Sequence, residues 1–350
     1  MKELVDKLYN NNNLNKDELL LLIENYKEIS NYVFEKANDT RNKIYQKDIY
    51  IRGLIEVSNY CKNDCLYCGI RKSNKNASRY RLSESEIYEC CDIGYNLGFR
   101  TFVLQSGEDP YFTDEILVKI IKNIHNKYPD CAITLSFGER SKESYQKLYD
   151  AKANRYLLRH ESINDKHYSK LHPKELTIEN RKQCLYDLKE IGFQTGAGFM
   201  VGSPFQTIEN IVEDLLFLKE LNPEMVGIGP FIPHLDTPFK DSKAGDIELT
   251  LFLLAIVRLL LPRVLLPATT ALSTLDVNAK DKGILIGCNV IMPNLSPSSV
   301  RDKYMLYNNK LSCELEAAEN LKQLVNQMES IGYKVVVDRG DYKEEDNVSI

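Results

Sequence analysis

From residue 51 onward the chain alternates short β-branched and aliphatic runs with longer stretches in which apolar side chains recur every three or four positions. The short runs predict strands at 51–57, 101–105, 132–136, 155–159, 194–200, 225–231, 264–268 and 288–292. The longer stretches predict helices at 84–97, 114–127, 142–150, 178–191, 208–221 and 249–260. Ser83 with Glu86 three residues on reads as a capping box, and Thr207 as a simpler cap before the helix at 208–221. Gly98 and Gly192 stand where two helices need to end. A seventh helix falls somewhere in 273–284, where the pattern fades. Ahead of all this, 1–47 is polar and helical in character, with apolar weight at Leu19, Leu20, Leu21, Leu22, Ile23 and Tyr26 and a loop at 10–13.

Strand–helix alternation specifies a parallel sheet. Eight strand candidates spaced about 25 to 50 residues apart favour a (β/α)8 TIM-type barrel over an open doubly wound sheet, which stays as the alternative. The expected organisation is an N-terminal helical extension at 1–47, the barrel at 48–310, and a C-terminal helix and tail at 311–350 packing on it. Barrels of this kind work at the C-terminal ends of their strands. Those ends carry Cys61/Cys65/Cys68, Ser106-Gly107-Glu108-Asp109, Gly138-Glu139, His160-Glu161, Gly202-Ser203-Pro204, Pro233-His234, Thr269-Thr270 and Pro293-Asn294.

Composition narrows the class. With 350 residues, 43% of them hydrophobic and 27% charged, the chain can bury a large core. Lys+Arg 45 against Asp+Glu 50 leaves a net charge of -5, so a nucleic-acid partner is not expected. Residues 1–10 carry Lys2, Glu3, Asp6 and Lys7 instead of an apolar leader. The oily stretch 249–272 is interrupted by Arg258, Pro262, Arg263 and Pro267, so no membrane span is expected either. The expected location is the cytoplasm.

Nine cysteines are an odd number, unevenly spread, and three of them fall within eight residues. In Cys61-Lys-Asn-Asp-Cys65-Leu-Tyr-Cys68-Gly69 the thiols are spaced by four and three on the loop after the first strand. Three thiolates can hold three irons of a 4Fe-4S cube and leave the fourth iron open. Zinc would want a fourth local ligand, whereas Cys90 and Cys91 fall in a predicted helix; a disulfide would leave one thiol over. Cys90, Cys91, Cys131, Cys184 and Cys288 read as ordinary buried thiols, and His160, His167 and His172 as surface or loop residues.

This triplet, with Tyr67 before its last cysteine, resembles the radical S-adenosylmethionine (SAM) superfamily. That resemblance implies one 4Fe-4S cluster on Cys61, Cys65 and Cys68, with SAM on the open iron, cleaved to a 5'-deoxyadenosyl radical. Ser106-Gly107-Glu108-Asp109 is similar to the superfamily's loop at the SAM amino group, and Gly196-Ala-Gly198 and Gly227-Ile-Gly229 match its ribose and adenine side. Longer strings are more specific. Cys68-Gly-Ile-Arg71, Leu104-Gln-Ser-Gly-Glu-Asp-Pro110, Tyr156-Leu-Leu-Arg-His-Glu161, Gly227-Ile-Gly-Pro-Phe-Ile-Pro-His234, Pro267-Ala-Thr-Thr-Ala271 and Asn289-Val-Ile-Met-Pro-Asn294 resemble the HydE family of [FeFe]-hydrogenase maturases over about 45–330.

By that resemblance Tyr67, Gln105, Ser106, Gly107, Glu161 and Arg181 belong to the SAM neighbourhood. Thr134, Ser136, Arg159, Thr269, Thr270, Ala271 and Tyr304 would face a small organometallic cargo, a cysteine-bound iron carrying carbonyl and cyanide. Arg155 and Tyr307 would join the catalytic set. The implied partners are the other maturation proteins, a radical SAM tyrosine lyase and a GTPase scaffold. The plainer readings are an ion pair between Glu161 and Arg181, a helix packing face for Tyr304 and Tyr307, and a loop cap for His234. Methylornithine synthase, biotin synthase or a non-catalytic iron-sulfur protein are the competing functions. Family members often carry a second C-terminal cysteine triplet, but here Cys313 stands alone and no cysteine follows it.

Overall fold

The computed structural model describes residues 1–310 and 318–344. The strands are β1 (Asp48–Ile51), β2 (Gly53–Ser58), β3 (Thr101–Ser106), β4 (Ala132–Ser136), β5 (Arg155–Leu157), β6 (Gln194–Ala197), β7 (Met200–Val201), β8 (Met225–Val226), β9 (Gly229–Pro230), β10 (Val290–Ile291) and β11 (Lys334–Val336). A parallel ladder runs β2-β3-β4-β5-β6-β8. Single parallel bridges continue it through Met225↔Leu265 and Pro267↔Val290. It returns to its start through β10 against β1 and Leu54↔Asn294. The sheet therefore closes, giving the TIM-type (β/α)8 barrel rather than the open alternative.

Local chemistry sets the interruptions. Gly198 at φ 147° separates β6 from β7, and a Cβ there would sit 2.0 Å from Gly227 O. The fourth barrel strand is regular only to Leu157, because Glu161 turns at φ 63° and its N–H bonds Gly198 O at 3.0 Å. The helices 114–127, 142–150, 178–191 and 208–221 appear with those limits. The first runs Glu84–Asn96 behind the Ser83 capping box, and the last Ile247–Leu260 behind Asp246. Thr207 is more than a simple cap: with Asn210 it forms a full capping box. In place of one seventh helix stand two short ones, Thr270–Leu275 and Ala279–Leu285.

Helix Ile247–Leu260 is buried on every side from Thr250 to Leu260 because the barrel covers one face and helix Tyr26–Tyr45 the other. That burial accounts for the oily stretch, and among the described residues no helix is long and apolar enough to cross a membrane. At the C-terminal end, helix Leu321–Ser330 leads into β11, which pairs with β1 on its outer side. The chain then crosses the N-terminal end of the barrel. There Arg155 donates from Nη2 to Arg339 O (2.9 Å), Gly340 O (3.1 Å) and Asp341 Oδ1 (2.7 Å), from Nη1 to Thr101 Oγ1 (3.0 Å) and from Nε to Gln194 Oε1 (2.9 Å). This corrects the catalytic expectation for Arg155. Its guanidinium is spent tying the tail to the barrel floor, the end that serves stability in this architecture.

Candidate active site

The cysteine loop leaves β2 at the C-terminal mouth and has no regular structure of its own, so neighbouring backbone holds it. Lys62 N–H bonds Glu108 O (2.9 Å), Leu66 N–H bonds Leu171 O (2.9 Å) and Gly69 N–H bonds Leu306 O (2.8 Å). Inside the loop Asp64 accepts from Arg71 Nε (2.7 Å) and Ser73 Oγ (2.7 Å). Arg71 holds that carboxyl well below its usual range, while burial works against it. Two glycines let the pieces touch. A Cβ on Gly107 would sit 2.2 Å from Tyr60 O and 2.9 Å from Cys61 Cβ, and one on Gly69 would sit 2.2 Å from Met305 O and 2.4 Å from His234 Cδ2. The loop at 106–109 therefore lies directly against Cys61.

Cys61, Cys65 and Cys68 are half-buried free thiols. Burial pushes Cys68 up to about 12, with the charge of Cys61 adding to it, and burial, Cys68 and Cys61 raise Cys65 well above its usual value. Three thiolates on one loop would need cationic compensation, which iron would supply on binding. Among the described residues no three His, Cys, Asp or Glu side chains can share one metal ion. Corner ligation of a cube asks for something else, one thiolate per iron.

Around the triplet the structure gathers most of the expected SAM set. Tyr67 is held through its hydroxyl, 3.2 Å from His172 Nε2. Ser106 Oγ donates to Ser58 O (3.4 Å), and Gln105 Nε2 to the Tyr304 hydroxyl (3.3 Å). Glu161 and Arg181 do not pair with each other. Arg159 Nη2 lies 3.0 Å from Glu161 Oε2, and Arg181 reaches Glu139 Oε1 from Nε (2.5 Å) and Arg159 O from Nη1 (2.7 Å). The Arg159–Glu161 contact is an ion pair outside hydrogen-bond geometry, and Arg159 Nε is buried with no hydrogen-bond partner. Gly227 leaves open space where a Cβ would be, so its backbone can meet a flat ligand. Orphaned donors and acceptors beside three thiols and a glycine-lined gap suit SAM and a cluster.

Deeper in the barrel, Thr134, Thr269 and Ser273 present buried hydroxyls with no partner. Ser136 stands beside Gln105 in the ladder, and Thr269 and Ala271 face Gly229. Thr270 begins the short helix there. Tyr304 is buried, and Tyr307 is half-buried in the stretch that covers the cysteine loop; 302–307 is loop and turn, so the helical packing face is not what holds these tyrosines. His234 contacts Gly69 and accepts from Asp236 N–H at 3.1 Å, its loop-cap reading. His160, His167 and His172 are buried, which corrects the surface expectation: each ring nitrogen network is internal, as in His167 between Ser162 Oγ (2.9 Å) and Pro204 O (3.1 Å). Cys313 lies outside the described residues.

Sequence reasoning missed Glu56 and Lys310, which form a buried ion pair inside the barrel, with Asn294 Nδ2 donating to Glu56 Oε2 at 3.0 Å. A lone carboxylate in the apolar run 53–58 was the signal available, since such a group is seldom buried unpaired. Its partner lies 254 positions away, so spacing gave no hint of it.

Residues 55–218 match the family model described as Radical SAM superfamily. The [FeFe] hydrogenase maturase subunit HydE of Thermotoga maritima is 45% identical over 311 residues, covering 89% of this chain and 88% of that protein. The 3-methylornithine synthase of Methanosarcina acetivorans is 27% identical over 93% of this chain and 92% of its own. Among solved structures, methylornithine synthase superposes with a TM-score of 0.82 at 23% identity, over 95% of this chain and 97% of that one. The maturase HydG from Carboxydothermus hydrogenoformans gives 0.79 at 22% identity, over 95% and 78%; both show the fold. With these likenesses and the thiol-lined mouth together, the chain belongs to the radical SAM superfamily and, within it, to the family of the [FeFe] hydrogenase maturase subunit HydE.

Proposed function

We propose that this radical SAM enzyme works in assembly of the [FeFe]-hydrogenase cluster, acting on the sulfur of a cysteine-bound Fe(CO)2(CN) precursor. The observation that carries the reading is 45% identity to a HydE maturase along 89% of the chain. When bound, one 4Fe-4S cluster and SAM supply a 5'-deoxyadenosyl radical to the barrel interior. Cys61, Cys65 and Cys68 hold the cluster, and the packed loop at 106–109 keeps solvent from its near side. Glu161, Arg181, Tyr67, Gln105, Ser106 and Gly107 orient SAM by charge, hydroxyl and backbone contacts. Thr134, Ser136, Arg159, Thr269, Thr270, Ala271, Tyr304 and Tyr307 line the route to the cargo.

The orphaned hydroxyls of Thr134 and Thr269 and the unbonded Nε of Arg159 support a polar cargo. Each buried group without a partner costs about 1–3 kcal/mol, and cyanide nitrogen and a cysteine carboxylate are acceptors that relieve it. The other maturation proteins would deliver and collect that cargo. The test is anaerobic reconstitution with iron, sulfide, SAM and a strong reductant, in the presence of the cysteine-bound iron precursor or of lysine. Release of 5'-deoxyadenosine stimulated by the iron precursor is the expected result. Conversion of lysine to methylornithine would replace this reading with the mutase one, and an intact cluster that never cleaves SAM would replace it with a non-catalytic one.

A further inference from the structure

Residues 61–81, the cysteine loop and the segment that follows it, carry six basic residues against one acid, Asp64. The local charge is +5 in a chain whose net charge is -5. Part of it is spent, since Lys62 pairs with Glu108, Arg71 with Asp64 and Arg81 with Asp109, and Arg79 bonds backbone carbonyls. Lys72 and Lys75 are exposed and have no acidic partner among the described residues. Lys72 N–H bonds Asn63 O at 2.8 Å, which sets this lysine against one side of the cysteine loop. On the other side the Leu66–Leu171 backbone bond brings up helix Asp165–Leu171, whose exposed Lys166 and Lys170 lie one turn apart, with Lys174 just beyond. Asp165 and Glu175 leave this second side basic overall.

Two exposed apolar side chains adjoin these lysines. Leu235 is 63% exposed, and its neighbour Asp236 accepts at 2.7 Å from Nδ2 of Asn76, the residue after Lys75. Phe205 is 61% exposed, with Lys170 Nζ 5.1 Å from its ring centroid. Its backbone sits at φ 67°, a left-handed conformation that a bulky residue adopts only under strain. An exposed ring gains the fold little, so this strain marks a contact surface. Behind it the Phe239 ring lies 6.1 Å away between centroids, in the cluster of Leu171, Met200, Phe231 and Phe239 on which Leu66 and Tyr67 pack. Phe205 is therefore one ring removed from the wall of the cysteine loop.

What meets such a surface follows from what the loop beneath it needs. Each reductive cleavage of SAM consumes one electron. The sequence holds no second cysteine set for a relay, because Cys90, Cys91, Cys131, Cys184 and Cys288 are buried and scattered and Cys313 stands alone, so the electron enters from outside at this loop. An apolar centre rimmed by positive charge fits a negatively charged partner, which the rim steers and the centre anchors.

We propose that Phe205 and Leu235, with Lys72, Lys75 and Lys170 around them, dock a small acidic carrier protein that passes one electron to the cluster on Cys61, Cys65 and Cys68. The carrier is oxidised by one electron, the cluster is reduced by one, and no bond or proton moves. The inference rests on the radical SAM reading above and adds the place where its electron enters.

Reduction of the anaerobically reconstituted holoenzyme is followed by the loss of cluster absorbance. A flavodoxin in its hydroquinone form is the protein donor, and photoreduced 5-deazariboflavin, small and uncharged, is the control donor. In Lys72→Glu/Lys75→Glu/Lys170→Glu the flavodoxin rate at low salt is expected to fall about tenfold or more, while the deazaflavin rate changes less than about twofold. The wild-type flavodoxin rate should fall as salt rises from about 20 to about 300 mM, and the variant's should not. Phe205→Gly suits the left-handed backbone and so keeps the fold; it should raise the flavodoxin dissociation constant about tenfold in calorimetric titration of the oxidised pair. A triple variant that flavodoxin reduces as fast as wild type, or one slowed equally with both donors, overturns the assignment, as does an unchanged dissociation constant in Phe205→Gly. Wild-type self-association that the triple variant abolishes, with flavodoxin reduction unchanged, gives the surface to a second copy of this chain instead. A wild type that deazaflavin reduces but that never cleaves SAM overturns the radical SAM reading, whereas one that cleaves SAM with deazaflavin and is not reduced by flavodoxin overturns the docking surface alone.

Discussion

Arg81 forks onto Asp109, with Nε 2.6 Å from Oδ2 and Nη2 3.0 Å from Oδ1, and Ser58 Oγ donates to the same Oδ2 at 2.6 Å. This carboxylate joins the end of β2, the segment ahead of helix Glu84–Asn96 and the loop that presses on Cys61. Burial opposes its charge, but Arg81, Ser58 and the Tyr111 N–H outweigh burial and hold its carboxyl below the ordinary value.

Asp109→Asn is expected to lower stability by about 2 kcal/mol at pH 7, because it removes charge-assisted bonds without changing shape. The native carboxyl titrates lower than the unfolded one. The stabilisation is therefore complete above about pH 4, the unfolded value, and is lost as pH falls through the native value. Denaturant titrations of both proteins across this range should show their difference closing on the acid side.

Cys65→Ser is expected to strip most of the iron and abolish 5'-deoxyadenosine release, since a serine hydroxyl is a poor ligand for iron in a thiolate site. Cys131→Ser, at a buried position remote from the loop, should leave both intact. Iron and sulfide analysis after anaerobic reconstitution checks this, and iron content undiminished by Cys65→Ser would refute the ligand set.

The two glycine motifs should respond in opposite ways. In Gly107→Ala the new methyl meets the Tyr60 carbonyl and Cys61, neither of which can yield without moving the cysteine loop, so about 1–3 kcal/mol of stability and much of the iron should go. Gly227→Ala meets nothing within 4 Å. It should fold with full iron content yet weaken SAM binding, seen as a rightward shift in the SAM titration of the cluster signal.

Glu56→Gln leaves the Lys310 ammonium buried without its counterion and is expected to cost about 3–5 kcal/mol. The double variant Glu56→Gln/Lys310→Met should recover part of that loss. Thermal unfolding of the three proteins under argon decides it; a double variant no better than the single one would show that the pair is not an energetic unit.

Arg155→Met is expected to destabilise strongly, because it frees the Asp341 carboxylate and four carbonyl or hydroxyl acceptors at the barrel floor. SAM cleavage by the protein that folds should continue. Loss of cleavage with unchanged unfolding temperature would return Arg155 to the catalytic set.

Elements whose signal is local could be read from the chain alone. Alternating apolar runs placed seven barrel strands and, at 264–268, a segment held only by single bridges at Leu265 and Pro267, and Ser83, Thr207 and Gly192 bound their helices through side-chain oxygens or a left-handed residue within a few positions. The spacing of Cys61, Cys65 and Cys68 is likewise local, because one loop must present all three. Tertiary structure decided what depends on distant partners. It closed the sheet through Leu54 and Asn294, carried 339–341 under the barrel to Arg155, and set Lys310 against Glu56. It also paired Arg159 with Glu161 and Arg181 with Glu139, and left the Tyr168 hydroxyl buried without a partner. Which charges meet is fixed by where the closed barrel brings its strand ends, and a long-range meeting of that kind leaves no periodicity or spacing in the sequence to read.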